Sequence, residues 1–467
     1  MDRLKQGLAK LAPKSDPDGI LWKILAPVIF SVIIIIYFSI AAWYHNQYGR
    51  YHSNEKSINE LLTIRRHTLG EAIDPTAAND KSVCSQIISR TGPYSQMNSR
   101  NSLIVNWRPL TVRMAGYLGG DITVRDGVFD MIKGVQLALH LGARAFVFEI
   151  DYMEANPCQA TLIHRDSQGV MRSLHTGSIN DGMIALSRYA FQTNYDPVLI
   201  ILYLKRIPQG LRQRDAYFKG ITASLDPLST YHLGSTEQGN FHNCRSESRL
   251  FTSEITNFQK KFIVLCNYNT NLLPSTSNPK NSLDFWTNAR IYLDENGKSD
   301  SLGEVTDMVP NGQIAFAQVG ATSQLLAMPQ SSQDTFRSKS SNTFKIALGP
   351  MEEKLTTLQV STLLNTLGTH CIPIDVVRLG ATPEHLETLK RAAECNTVAA
   401  LTNATNPSDP LSFWRFAGWS RKNIAEGFEN PKIPPSTPIP GFIKPVAVVP
   451  EKPPPSTNSN GGLVNIS

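Results

Sequence analysis

The stretch Gly142–Tyr203 sets the tightest limit on what this chain can fold into. It alternates apolar runs with one amphipathic run, in the order that builds a parallel sheet. GARAFVFEIDY alternates as a buried strand does, and the strand period of two places Val147, Glu149 and Asp151 on one face. GMIALSRYAF predicts a helix, and PVLIILYL is apolar enough for a strand covered on both sides. Between them, TLIHRD is a further short apolar run, which would bring His164 to the same end of a neighbouring strand. Upstream, Val128, Met131, Ile132, Val135 and Leu139 fall at helical spacing and stop at Gly142, a helix C-terminal glycine. The expected class is α/β.

Two carboxylates at one strand end repel unless a cation or a proton offsets them. Glu149 and Asp151 therefore point either to a metal site or acid/base role, or to two solvated acids at a loop edge. An imidazole at His164 is the natural proton carrier near neutral pH.

The phrases GARAFVFEID, then LIH, then YAF-x5-PVLIIL resemble the X region of phosphatidylinositol-specific phospholipases C, a family of TIM-type (β/α) barrels, over Met114 to Tyr203. A second likeness, E-x-D followed by HRD, is to the related glycerophosphodiester phosphodiesterases. The resemblance implies a general base and a general acid, both histidines, and in eukaryotic members a calcium ion held by an Asn and acidic residues. Residue by residue, His164 matches the second histidine, and Glu149 with Asp151 match the acidic pair after a shift of two positions. In the gap-free register set by Gly142 and Arg144, Val147 and Glu149 take those places and Asp151 is an extra acid. VRMAGYLGG puts Met114 and Ala115 where the family carries His and Asn, and Tyr203 stands where a further acid is expected. Lys261 in KKFIVLCNY answers to a phosphate-binding lysine, with Cys266 where a second basic residue would stand.

The resemblance thus implies a phosphoric diester hydrolase architecture with a depleted site. Loss of one proton-transfer group costs roughly 10²–10⁴ in rate, which favours a pseudoenzyme that keeps the shape to hold a phospholipid headgroup or a partner. The alternative is a working phosphodiesterase on inositol phospholipids or glycerophosphodiesters. It would use His164 as acid, calcium on Glu149 and Asp151, and a substitute base from His232, His242 or water.

Ile24 to Tyr44 carries no charge and, at about 1.5 Å per residue, is long enough to cross about 30 Å of hydrocarbon. Trp22, Trp43 and Tyr44 bracket it as interfacial aromatics, and its length exceeds a signal-peptide core. A single transmembrane helix over 21–44 is expected, with the lipid bilayer as partner. Arg3, Lys5, Lys10, Lys14 and Lys23 precede it, against Arg50 and Lys56 soon after, so the N-terminus is expected on the cytoplasmic side and the barrel on the opposite face.

The division expected is a short basic tail (1–20), the span, a polar stalk (45–100) with a short helix over SINELLTIRRHTLGEA, a barrel (101–429) with helices and an insertion near 209–253, and a proline-rich tail (430–467). Eight strands are counted: the Leu110 to Tyr117 region, FVFEIDY, ATLIH, PVLIIL, KKFIVLCNY, GQIAFAQVG, NTFKIALG and THCIPIDVVRL. DPLSFWRFAGWSRK, from Asp409 to Lys422, is expected to be a helix capping the barrel's base, the alternative being an aromatic patch facing a membrane or partner. The tail, with PKIPPSTPIPGF and KPVAVVPEKPPPS, is expected to be extended, as a solvated segment or a dock for a protein partner. Of the six cysteines, Cys266 and Cys371 sit in apolar runs as buried thiols, while Cys84, Cys158 and Cys244 lie where a disulfide would be compatible. A net charge of +6 over 467 residues, without an arginine-rich run, gives no support to nucleic-acid binding. NWRPL, HLGSTE, FHNC and AGWSRK resemble barrel proteins of large DNA viruses, which implies a virion-membrane component.

Overall fold

Seven strands lie side by side, all parallel and in chain order, and between them the chain returns along the outside. The computed structural model describes residues 20–68, 82–90, 102–118, 128–140, 142–173, 175–192, 194–233, 250–273, 278–310, 316–351, 353, 355–373 and 418–422. His242, Cys244, Cys395 and the proline-rich tail lie outside them. The elements begin with helix α1 (Ile20–Thr68), helix α2 (Val83–Ser89) and strands β1 (Trp107–Pro109), β2 (Thr111–Arg113), β3 (Tyr117–Leu118) and β4 (Val128–Phe129). Helix α3 (Met131–His140), strands β5 (Ala145–Met153) and β6 (Asn156–Leu162), helix α4 (Ile179–Tyr189), strand β7 (Val198–Leu204) and helix α5 (Leu211–Leu225) follow. Then come β8 (Phe262–Cys266), α6 (Leu283–Trp286), β9 (Ala289–Leu293), β10 (Ala317–Gly320), α7 (Thr322–Leu326), α8 (Gln330–Lys339), β11 (Phe344–Ala347), α9 (Thr357–Ser361) and β12 (Trp419–Arg421).

The sheet runs β2, β5, β7, β8, β9, β10, β11. An eighth segment continues the curl: Cys371 makes a parallel bridge to Ile346 of β11, and its thiol bonds with the Thr111 hydroxyl on β2. Side chains alternate between two cores as the strand period requires. Val147, Ile201, Leu265, Ile291, Val319 and Ile346 share the inner core, while Phe146, Phe148, Ile200, Leu202 and Val264 pack outward against the helices. Both faces of β5 and β7 are therefore covered, which is why their sequences are nearly continuous apolar runs. This is the TIM-type (β/α) arrangement.

The amino end of the ring is closed by α2, β1, β12 and Leu250–Phe258, whose Cys84, Trp107, Phe251, Phe258 and Trp419 join the inner core. Asp196 fixes α2 there by accepting from Ser82 Oγ (2.7 Å), Val83 N (2.9 Å) and Cys84 N (2.8 Å). Cys84 is a buried free thiol and Cys158 an exposed one, so neither forms a disulfide.

Several expectations are corrected. ATLIH is not a barrel strand: β6 pairs antiparallel with β5, because two connecting residues, Glu154 and Ala155, permit only a hairpin and a parallel neighbour needs a crossover. Its place in the ring belongs to ARIYL, strand β9. Val128 opens β4 rather than a helix, paired with Leu118 of β3. Trp419–Arg421 is a strand on β1 instead of part of a terminal helix. The segment from Gln209, whose length itself calls for helices beside an insertion, opens with a regular barrel helix, α5. The apolar span Lys23–Asn46 is part of one continuous helix that reaches Thr68, so the helix expected over SINELLTIRRHTLGEA is, as far as Thr68, an extension of the span instead of a separate element.

Candidate functional site

Strand β2 ends at Arg113, and its register with β5 (Thr111 beside Ala145, Arg113 beside Val147) turns Arg113 toward the inner core. Its guanidinium Nε donates to Glu149 Oε1, and its Nη1 donates to the Pro350 carbonyl at 3.2 Å. Lys205, just past the end of β7, brings its ammonium to 3.8 Å from the other oxygen of Glu149. Burial would raise the Glu149 carboxyl, but the charges of Arg113 and then Lys205 outweigh it and hold the group below the usual range.

Asp151, two residues on, meets a second pair of cations. Its oxygens accept from Arg165 Nε (2.8 Å) and Arg206 Nε (2.7 Å). The same two arginines bind Glu154 Oε1, at 3.0 and 2.9 Å. Arg206 also lies over the Tyr152 ring. The mouth thus gathers four cations around three carboxylates. Glu149, Asp151 and Arg113 are buried, whereas the side chains of Arg165, Lys205 and Arg206 are 19%, 29% and 37% exposed and form the outer row.

His164 follows β6 and comes back to this end of the barrel because β6 folds against the carboxyl end of β5. It is buried, its ring 4.4 Å from that of Tyr117, and its charged form would lower the Glu149 carboxyl further. Met114, at the place the resemblance gives to the first histidine, is buried with a left-handed backbone (φ 49°). The turn is tight against α3: a Cβ on Gly134 would lie 1.8 Å from the Ala115 carbonyl oxygen. Tyr203 keeps the inward direction expected of a ligand there, but its hydroxyl donates to the Leu302 carbonyl (2.5 Å) and accepts from Thr306 (3.2 Å). Burial raises its pKa. Leu302 joins the inner core, and Lys205 Nζ donates to the Ser301 carbonyl (3.0 Å), so the segment after β9 covers the barrel's centre.

The structure brings Glu149, Asp151 and His164 to one mouth. Lys261 is elsewhere: it immediately precedes β8, and its carbonyl accepts from Val198 N at the opposite, amino end of the ring. His232 is also at that end, bridged to Phe262, with its Nε2–H donating to the Trp286 carbonyl (2.8 Å), so it is no substitute base at the mouth. The residues that sequence reasoning missed are Arg113, Arg165, Lys205 and Arg206. The available signal was their place: each stands at or just beyond the end of a strand or of its hairpin.

Calcium takes roughly six to eight oxygen ligands, several of them carboxylates. Here both carboxylates on β5 are engaged by cations, and among the described residues no three His, Cys, Asp or Glu side chains are placed to hold one metal ion. The residues present do not fit that ion.

No family model and no curated protein sequence matches the chain. Among solved structures it is similar to the PLC21 protein of L. pealei, with a TM-score of 0.43 and 9% identity, over 70% of this chain and 38% of that one. Similarity to S. officinalis PLC21 gives 0.42 and 9%, with the same coverage. A calcium-dependent phosphoinositol-specific phospholipase C from a Pseudomonas species gives 0.37 and 11%, over 61% of this chain and 92% of that one. The chain spans about 38% of the length of the two PLC21 proteins.

Proposed function

We propose that this chain is a membrane-anchored, phospholipase-C-like barrel that holds an anionic phosphate headgroup at its mouth without cleaving it. The observation that carries this reading is the surplus of cations: three carboxylates are neutralised by four cations, and three of those cations are partly exposed. Charge-assisted bonds from such a row favour a phosphate. The absence of an imidazole at Met114 and the cover over Tyr203 speak against proton-transfer chemistry at the barrel's centre. Anchoring rests on the Lys23–Asn46 span, exposed throughout and apolar enough to cross a bilayer. The flanking basic residues favour a cytoplasmic N-terminus with the barrel on the other face, and the likeness to barrel proteins of large DNA viruses favours a virion or virus-factory membrane.

The second reading is an active phosphoric diester hydrolase, and the observation in its favour is that His164 lies at the mouth within electrostatic reach of Glu149. One experiment separates the two. The detergent-purified full chain is given phosphatidylinositol with calcium or with a chelator, and binding of inositol 1-phosphate is measured in parallel. We expect binding indifferent to calcium, no turnover, and roughly tenfold or greater weakening in the Lys205→Met/Arg206→Met variant. Turnover abolished by His164→Ala would instead establish the hydrolase.

A further inference from the structure

Of the three carboxylates at the mouth, Glu154 is held differently from the other two. Glu149 and Asp151 are buried on β5, whereas the Glu154 side chain is 62% exposed at the turn of the β5–β6 hairpin. Its partners are one nitrogen from each of two arginines. Arg165 Nη2 donates to both Glu154 oxygens (3.0 and 3.2 Å), and Arg206 Nη1 donates to Oε1 (2.9 Å).

The remaining nitrogens of both guanidinium groups are bound by fixed acceptors. Arg165 gives Nε to Asp151 and Nη1 to the Gly169 carbonyl (3.0 Å). Arg206 gives Nε to Asp151 and Nη2 to the Tyr152 carbonyl (2.8 Å), and its guanidinium carbon lies 4.5 Å from the centre of the Tyr152 ring. Both forks are therefore locked by the backbone and by the buried Asp151, and each presents one Nη to the same Glu154 oxygen. Two pre-set charged donors that converge on one oxygen at an open edge suit a phosphate oxygen equally well.

Glu154 is also the acid that can yield. It stands on a turn, outside the ladder, and exposed ion pairs are individually weak because water solvates both partners. It does not yield by protonation: its own backbone N–H first, and then Arg206, bring its carboxyl down to about 2, so near neutral pH only another anion replaces it. The charge of that anion decides the exchange. A phosphate diester carries a single negative charge, as Glu154 does, and lacks the advantage of a tether. A phosphate monoester carries about −1.5 to −2 near pH 7 and offers three terminal oxygens to the two nitrogens.

We propose that Arg165 and Arg206 form a phosphomonoester site that Glu154 occupies as a tethered competitor, so that the mouth prefers monoesters to diesters. This rests on the reading of the mouth as a headgroup-holding site and names the class of phosphate it takes. The monoester is a soluble one or the headgroup of a lipid, and the test separates the two. The detergent-purified full chain and its Glu154→Gln variant are titrated with inositol 1-phosphate, with the diester glycerophosphoinositol, and with phosphatidic acid in mixed micelles. The parent is expected to bind the monoester roughly tenfold or more tighter than the diester. Glu154→Gln is expected to tighten both several-fold and the diester more, which narrows the preference. Asp226→Asn, which removes one exposed charge beyond the far end of α5, is expected to change neither. Tightening with inositol 1-phosphate assigns a soluble ligand and tightening confined to phosphatidic acid a lipid headgroup, and either supports the exchange. Parent binding that Glu154→Gln leaves unchanged or weakens, or that Asp226→Asn tightens as much, overturns the competitor and leaves the headgroup reading standing. Equal parent affinity for monoester and diester overturns the selectivity. Binding of no phosphate by either chain overturns both readings.

Discussion

Glu149 is 3% exposed on the inner face of β5, and it stays ionised there because Arg113 and Lys205 face it. Its folded pKa lies below the ordinary carboxylate value, so the pair's contribution is complete above the unfolded pKa of about 4.3 and is lost as pH falls through the lower folded value. Replacing Arg113 by methionine keeps the volume and leaves a buried carboxylate with Lys205 alone. We expect Arg113→Met to cost about 3–5 kcal/mol at pH 7. In that variant the Glu149 pKa rises, so acidification toward pH 5 should protonate it and recover part of the loss. Urea unfolding of the detergent-purified chain at the two pH values checks this, and an equal loss at both would contradict it. Glu149 and Asp151 were legible because strand periodicity alone puts both on one face. Arg113 was not, since a lone arginine between a short strand and a turn looks like surface until the register with β5 turns it inward.

The elements that sequence reasoning found, β5, α4 and β7, are those whose burial is written in local pattern: strands apolar on both faces and a helix with an apolar stripe. The misread elements were set by partners. Nothing in Glu154-Ala155 is a turn signature, so the β5–β6 hairpin had no local mark, and β9 alternates buried and half-buried residues because Arg290 and Tyr292 stack outside the ring. Tight approach between elements is equally silent in sequence. Gly134 of α3 faces the Ala115 carbonyl, and a Cβ on Gly116 would in turn lie 2.5 Å from Met131 Cα. A side chain at either position must push the Met114–Tyr117 turn off α3 and Tyr117 off His164. Gly134→Val is expected to cost about 1–3 kcal/mol or more. Gly220, in the interior of α5 with nothing within 4 Å of a built Cβ, is the contrast, and Gly220→Ala should stabilise by up to about 1 kcal/mol. Thermal unfolding of both variants beside the parent checks the pair, and a neutral Gly134→Val would contradict the packing of α3 on the turn.

At the scale of the molecule, the segment THCIPIDVVRL, counted as a strand from its sequence, joins the sheet through Cys371 beside Ile346 of β11, and its hold depends on a buried imidazole. His370 accepts the Lys345 N–H at Nδ1 (2.9 Å) and donates from Nε2 to the Val105 carbonyl (2.8 Å), joining the eighth segment to β11 and to the plug at the amino end. Its ring also stacks on Phe344 at 4.5 Å. These bonds require the neutral form. Burial first, and then the charge of Lys422, hold the His370 pKa well below its ordinary value. The unfolded chain therefore takes up this proton before the folded one does, so stability is complete above about pH 6.5 and declines as pH falls toward the folded value. The decline from this group approaches about 1.4 kcal/mol per pH unit. His370→Gln keeps a donor and an acceptor but cannot titrate, so it should be less stable at pH 7.5 and lose less on going to pH 5.5. Urea midpoints of parent and variant across that range give two slopes whose difference isolates His370 from the other histidines. Parallel slopes would mean that the closure of the ring tolerates a charged imidazole, against the bonding seen on both of its nitrogens.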